Sequence, residues 1–345
     1  MKKNLTQYFP MIKTREVLLG EIQKNHRLKT LFESWTADEQ KEFIDICTGM
    51  KGVKITYDPY FKEILSPEYD STRLSDLLSS IIGQKVKVVT VLPNDGTRLA
   101  DESTLVITDI VVELEDGSLA NVEIQKIGYR FPCQRAACYS ADLLLRQYKR
   151  VRNREKKFKY GDIKNVYTIV LFEKSPQMFL NNSTKYIHKA EAKSDTGIEL
   201  NLLQKYIFIN LDIFKKAQHN KPISNKTEAW LTFLSSDKPE DIIRLIEECP
   251  EFKPLYEDIY EICRNVEDIM GLFSKELQIL DANTVQFMVD EMQDEIDKQK
   301  EHIDKQQDEI ASLKELNENQ QAEISQLKDN IQQLMKRIDS ITENT

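Results

Sequence analysis

The sequence contains no apolar run of membrane-spanning length, and its opening Met1-Lys2-Lys3-Asn4-Leu5-Thr6-Gln7 leads into no signal-peptide core. Together these absences point to a cytoplasmic protein with no membrane partner. Histidine is scarce: His26, His188, His219 and His302 are scattered and read as surface residues. The five cysteines, Cys47, Cys133, Cys138, Cys249 and Cys263, are odd in number and never spaced as CxxC, which argues against a disulfide framework and for reduced thiols. Cys133 and Cys138 have no histidine near them in sequence, so nothing suggests a zinc site. No motif for a small-molecule cofactor stands out.

A net charge of −9 over 345 residues sits poorly with a nucleic-acid partner until it is divided along the chain. From Asp281 onward there are 16 acidic and 7 basic residues, which leaves 41 of each sign in the first 280. The acidity belongs to the tail and the body is neutral. Within the body, positions 146–164 hold Arg146, Lys149, Arg150, Arg152, Arg154, Lys156, Lys157, Lys159 and Lys164 against only Glu155 and Asp162. Tyr148, Phe158 and Tyr160 interleave with them. Such a block is either a solvated helix end and loop or a surface that neutralises several phosphates, with strongly salt-dependent binding.

What is present in the middle of the chain is a short acidic constellation. Two β-branched runs, Thr108-Asp109-Ile110-Val111-Val112 and Ala120-Asn121-Val122-Glu123-Ile124-Gln125, flank Glu115-Asp116-Gly117-Ser118, whose Asp-Gly pair signals a tight hairpin. A two-residue loop would put Asp109 opposite Ile124 and send the carboxylates of Asp109 and Glu123 to opposite faces. A three-residue loop with Gly117 left-handed puts Asp109 opposite Glu123, with Gln125 on the same face. The plain alternative is the solvated face of a half-buried sheet. However, the strands are otherwise apolar, and facing like charges destabilise a sheet unless something neutralises them. A divalent cation with oxygen ligands is one such neutraliser.

Other elements surround the hairpin. Residues 1–50 read as helical. Ser71 to Ile82 forms a helix that carries the acidic Asp76 and is stopped by Gly83. Strands are expected at 86–92, 166–172 and 206–211, and the turn-rich stretch between the last two has room for another hairpin. After Pro132 a helix carries Arg135, Tyr139, Asp142 and Arg146 along one polar stripe, with Ala136, Ala137, Leu143 and Leu144 as its packing face. From about 225 to 280 the pattern is helical again. In the tail, Ile296, Ile303, Ile310, Asn317, Ile324, Ile331 and Ile338 recur every seven residues, with Leu313, Leu327, Leu334 and Ile341 at the companion position. Isoleucine at a with leucine at d favours a parallel two-stranded coiled coil, and the single Asn317 fixes register and dimeric state. A homodimer through residues 289–341 is the expectation.

Asp-x13-Glu-x-Gln across a hairpin, followed by a helix with Arg135 and Tyr139, resembles the PD-(D/E)XK nuclease superfamily, and more narrowly its recombination-promoting nuclease and transposase branch. The stretches that carry the likeness are Tyr57-Asp58-Pro59-Tyr60-Phe61-Lys62, Thr108-Asp109, Glu123-Ile124-Gln125 and Gln134-Arg135-Ala136-Ala137-Cys138-Tyr139, with Tyr206 to Leu211 and Trp230 to Leu234 fitting the layout over about residues 55–235. The resemblance implies an α/β fold: a restriction-endonuclease-like mixed sheet flanked by helices, with a helical N-terminal segment (1–54), a nuclease core (55–224), a helical C-terminal subdomain (225–280) and a coiled-coil tail (281–345). It implies a metal-dependent DNA endonuclease linked to recombination or a mobile element. Asp109, Glu123 and Gln125 would be catalytic. Asp109, Glu123 and the carbonyl of Ile124 would hold Mg²⁺, with Mn²⁺ as a substitute. Arg135, Tyr139, Arg146, Lys149, Arg150, Arg152, Arg154, Lys156, Lys157 and Lys159 would grip the DNA backbone. The superfamily pattern ends in lysine where this chain has Gln125; Lys126 follows but points to the opposite face of a strand.

Overall fold

The computed structural model describes residues 4–92, 110–126, 133–154, 157–219 and 221–342. Asp109, Pro132 and Lys156 therefore lie outside the described residues, as do the loop before the hairpin and the segment that joins it to the next helix. The chain divides into two compact units, Met1–Glu276 and Leu277–Thr345.

The first unit is built on a six-stranded mixed sheet. Its strands are β1 (Val88–Leu92), β2 (Ile110–Leu114), β3 (Leu119–Gln125), β4 (Val166–Phe172), β5 (Ile187–Glu191) and β6 (Gln204–Asn210), in the order β1-β2-β3-β4-β6-β5. The β3–β4 and β4–β6 pairs are parallel and the other three are antiparallel. All seven residues of β4 are buried, as a central strand covered on both faces requires, and the sequence run 166–172 marks its bounds exactly as observed. The turn-rich stretch does hold a hairpin strand: β5 pairs β6 antiparallel through a long loop.

The β2–β3 hairpin takes the three-residue loop. Ile110 faces Val122 and Glu113 faces Leu119. Leu114 N–H donates to the Ser118 carbonyl at 2.8 Å, and Gly117, at φ +84°, supplies the left-handed residue that closes the loop.

Helices cover both faces. Before the sheet run α1 (Arg15–Lys24), α2 (His26–Ser34), α3 (Ala37–Cys47), α4 (Asp58–Ile64) and α5 (Pro67–Ile82). The α5 helix is kinked at Asp70, whose carboxylate accepts from the Thr72 N–H at 2.9 Å, so its regular part starts at Ser71 as the sequence suggests and stops at the left-handed Gly83. The long α6 (Cys133–Arg154) lies between β3 and β4, and α7 (Gln177–Leu180) follows β4. After β6 come α8 (Leu211–Ala217), α9 (Lys226–Ser235), α10 (Pro239–Glu248), α11 (Lys253–Ile262) and the first turns of α12 (Val266–Thr342).

The N-terminal helices pack against these last ones. The Phe9 ring lies 4.9 Å from that of Tyr260, and Trp35 and Phe43 close on Phe273 at 5.1 and 5.6 Å. Fully buried aromatics of this size contribute most of an apolar core's stabilisation.

Two sequence expectations are corrected here. Half of the polar stripe of α6 lies on its buried face: Tyr139 and Asp142 are 2% and 8% exposed and join the expected Ala136 and Leu143 there, with Ser140 and Gln147, whereas Arg135 and Ala137 are exposed. Both polar groups are buried at modest cost because each finds a partner, Asp142 with Arg146 at 2.7 Å and Tyr139 with Glu123. His188 is half-buried rather than a surface residue; its ring stacks 4.9 Å from Phe179 and its Nε2 has no hydrogen-bond partner.

The second unit is the remainder of α12. Among its described side chains Ile296, Ile303, Ile310, Leu313, Ile324, Leu327, Ile331 and Leu334 are all about half exposed, which leaves the heptad stripe uncovered within one chain.

Candidate functional site

The site grows from the pleat of β3. Residues 119, 121, 123 and 125 point to the face covered by α6, and 120, 122 and 124 to the other. Leu119 packs there with Leu143 of α6. Glu123 stands on the same face, near the end of the strand, 5% exposed and flanked by Val170 of β4 in parallel register. Its Oε1 accepts from Gln125 Nε2 at 2.8 Å and from the Tyr139 hydroxyl at 3.4 Å. Arg135 Nε donates in turn to the Tyr139 hydroxyl, with the guanidinium 5.5 Å from the Tyr139 ring. Glu123, Gln125, Tyr139 and Arg135 thus form one connected chain of hydrogen bonds.

Burial and the Glu123 charge beside it push the Tyr139 phenol well above its ordinary range, with Arg135 opposing. The phenol stays protonated and acts as a donor. Arg135, one helical turn before Tyr139, is exposed and places a positive charge at the mouth of the site.

Two further features of this region were not found from sequence. Asn121, one pleat repeat behind Glu123 on the same face, is fully buried, and neither amide atom has a hydrogen-bond partner among the described residues. On the opposite face Lys126 is 8% exposed and pairs with Glu276, and its ammonium lies 5.7 Å from the Tyr57 ring. Beside it Glu173, whose N–H donates to the Gln125 carbonyl at 2.9 Å, takes Lys54 and the Thr56 hydroxyl. Strand alternation foretells that Lys126 turns away from Glu123; the partner 150 residues downstream leaves no local signal.

The remaining assignments are distributed as follows. Ile124 is 6% exposed, with its side chain on the face away from Glu123. Asp109 lies outside the described residues, although the observed register, Ile110 opposite Val122, is the one that the three-residue loop demands. Asp76 accepts from Trp230 Nε1 at 2.8 Å and pairs with Lys226 at 2.9 Å, which binds α5 to α9 instead of serving a metal.

Of the residues assigned to the DNA backbone, Tyr139 bonds Glu123 and Arg135 bonds Tyr139. Arg146 is tied to Asp142, and Arg150 and Arg154 both pair with Glu113, which is 7% exposed. Arg152 donates to the Tyr148 hydroxyl at 2.7 Å. Lys149, Lys157 and Lys159 are exposed, and Lys156 lies outside the described residues.

For a divalent cation the donor chemistry fits in part. Glu123 offers a carboxylate held in place by two donors, an oxygen ligand of the kind that Mg²⁺ and Mn²⁺ prefer. Among the described residues no group of three metal-ligating side chains is assembled. Among them, too, no helix is long and apolar enough to cross a membrane.

Comparison with known proteins places this geometry. No curated protein and no solved structure matches the chain. The family model of the PD-(D/E)XK nuclease family transposases matches residues 55–287, from just before α4 into α12. The hairpin carrying Glu123-x-Gln125 and the helix carrying Arg135 and Tyr139 both fall inside that span, and the chain belongs to the PD-(D/E)XK nuclease family transposases.

Proposed function

We propose that the chain is a divalent-metal-dependent DNA endonuclease that acts as a homodimer. The observation that carries this reading is the buried Glu123, fixed by Gln125 and by the Tyr139–Arg135 pair at the end of β3. Asp109, Glu123 and the Ile124 carbonyl would hold Mg²⁺ or Mn²⁺. When bound, such a cation supplies neutralising charge at the scissile phosphate and a more acidic water.

The chain's own residues do the rest. Gln125 and Tyr139 hold the Glu123 carboxylate in one orientation, so little reorganisation is needed on binding. Arg135 offers the guanidinium that pairs with a phosphate oxygen of the substrate. Gln125 keeps a second amide proton and a carbonyl oxygen free to orient a water or a phosphate. Pairing through residues 289–341 would bring two sites to one duplex for cuts on both strands. A role in recombination or in a mobile element follows from the family alone.

The experiment is incubation of supercoiled plasmid with the purified protein and Mg²⁺. Nicking or linearisation that is abolished both by EDTA and by Asp109→Ala is the expected result. Undiminished cleavage by Asp109→Ala would remove Asp109 from the metal site.

One observation favours a second reading, a nuclease-fold DNA-binding module that does not cut. Gln125 stands where the wider superfamily pattern has lysine, and the adjacent Lys126 is paired with Glu276 on the other face. Salt-dependent duplex binding with intact plasmid in both Mg²⁺ and Mn²⁺ selects it.

A further inference from the structure

The far end of α6 closes a second site. The β2–β3 turn, the last turns of α6 and residues 157–164 enclose a cavity of about 560 Å³, well within the size of ligand pockets. Among the described residues five cations line it: Arg150, Arg154, Lys157, Lys159 and Lys164. The three carboxylates that accompany them are already engaged. Glu113 takes both arginines, Asp116 accepts from the Ser118 N–H at 2.9 Å, and Asp162 accepts from the Lys159 N–H at 2.9 Å. Lys157, Lys159 and Lys164 form no ion pair among the described residues.

The walls are built rather than loose. Phe158 meets Tyr148 of α6 edge-on at 5.5 Å and Tyr160 stacks on it at 6.2 Å, which clasps the lysine-bearing segment onto the helix. Gln147 Nε2 donates to the Gly117 carbonyl and binds the turn to α6, and a Cβ at Gly117 would lie 3.4 Å from Lys164 Cγ.

We infer that this cavity is a phosphodiester-binding pocket, remote from Glu123, that anchors the nucleic-acid backbone away from the point of cleavage. In its catalytic sense the inference rests on the nuclease reading above. The separation follows from the helix: Arg150 and Arg154 lie 11 and 15 residues beyond Tyr139, roughly 17 to 23 Å at 1.5 Å per residue. At 3.4 Å per nucleotide of a strand, that is about five to seven base pairs from the site. A polyanion fits better than a free phosphate because the three uncommitted ammonium groups are spread along the cavity, with Lys157 and Lys159 exposed to solvent.

The test is anisotropy of a fluorescent 20-base-pair duplex in EDTA, with KCl varied, for wild type and Lys157→Ala/Lys159→Ala/Lys164→Ala. Loss of three phosphate contacts is expected to weaken binding at least ten-fold and to reduce the slope of log K against log salt by about 2 to 3. Because these side chains are not packed in the core, the variant should keep the wild-type melting temperature; Lys159→Glu alone gives a second, smaller loss in the same assay.

Unchanged affinity and slope would overturn the pocket. So would inorganic pyrophosphate that binds calorimetrically to wild type, loses binding in the triple variant, and fails to displace the duplex: the cavity then takes small anions only. The assay is independent of cleavage. A chain that never cuts yet loses duplex binding in the triple variant keeps the pocket and refutes the nuclease, whereas one that cuts while the variant binds normally does the reverse.

Discussion

Glu123, 5% exposed, carries a chemistry that the sequence marks and a setting that it does not. The Glu-x-Gln spacing places both side chains on one pleat face, and Gly117 selects the loop that fixes the hairpin register; both are legible because strand alternation and turn stereochemistry are local rules. The donation from Gln125 to Glu123 at 2.8 Å follows from that spacing. The role of Tyr139 is less local, since it depends on α6 crossing over β3 with that residue facing inward. Its hydroxyl is a donor at every pH of interest because burial and the nearby carboxylate keep it protonated. Tyr139→Phe removes one bond to a charged acceptor, worth about 1.5 to 3 kcal/mol, so single-turnover cleavage should fall ten-fold or more. The pH profile between 6 and 9 should keep its shape, because no proton is lost from Tyr139 in that window. A profile that changes shape in the Phe variant would make Tyr139 a proton donor or acceptor instead.

At the scale of elements, strands were easier to find than the faces of helices. The run Val166–Phe172 declares β4 because both of its faces are buried and every residue is apolar apart from Tyr167 and Thr168. The inward face of α6 was found at Ala136 and Leu143 but missed at Tyr139 and Asp142, which look polar in sequence yet are buried with partners of their own. The ion pairs inside the basic block were hidden in the same way. Charge density is visible in sequence, but Glu113 lies 37 and 41 residues from the arginines it neutralises.

The buried pair Lys126–Glu276 is the clearest case of a contact with no local signature, and it fastens the first turns of α12 to the end of β3. Removing one partner leaves the other charge buried, so Lys126→Met should destabilise the fold by about 3 to 5 kcal/mol. Lys126→Met with Glu276→Leu should recover most of that loss, read as the urea midpoint. A double variant no more stable than the single would mean that the two residues act separately.

For the whole molecule, charge divides along the sequence into a neutral body and an acidic tail, and the structure divides into the units Met1–Glu276 and Leu277–Thr345. The heptad was legible because seven-residue periodicity needs no tertiary information. Its isoleucines and leucines are about half exposed in a single chain, an apolar stripe that water does not favour leaving open. Ile310→Asp with Leu327→Asp should therefore convert a dimer into a monomer in sedimentation, at loading concentrations where wild type runs at twice the chain mass. Asn317→Ile should raise the melting temperature while broadening the oligomer distribution, because the buried amide trades stability for a defined state. A wild-type chain that sediments as a monomer would refute the dimer.

The central claim is that Glu123, at the end of β3, is part of a metal-dependent phosphodiesterase site. Its most direct test is relaxation of supercoiled plasmid in Mn²⁺ by wild type and by Glu123→Gln, purified side by side and matched for melting temperature and duplex affinity. Conversion to nicked circles by wild type, reduced at least a hundred-fold in the variant with binding preserved, is the predicted result. Equal nicking by the two proteins, or none by either, would contradict it.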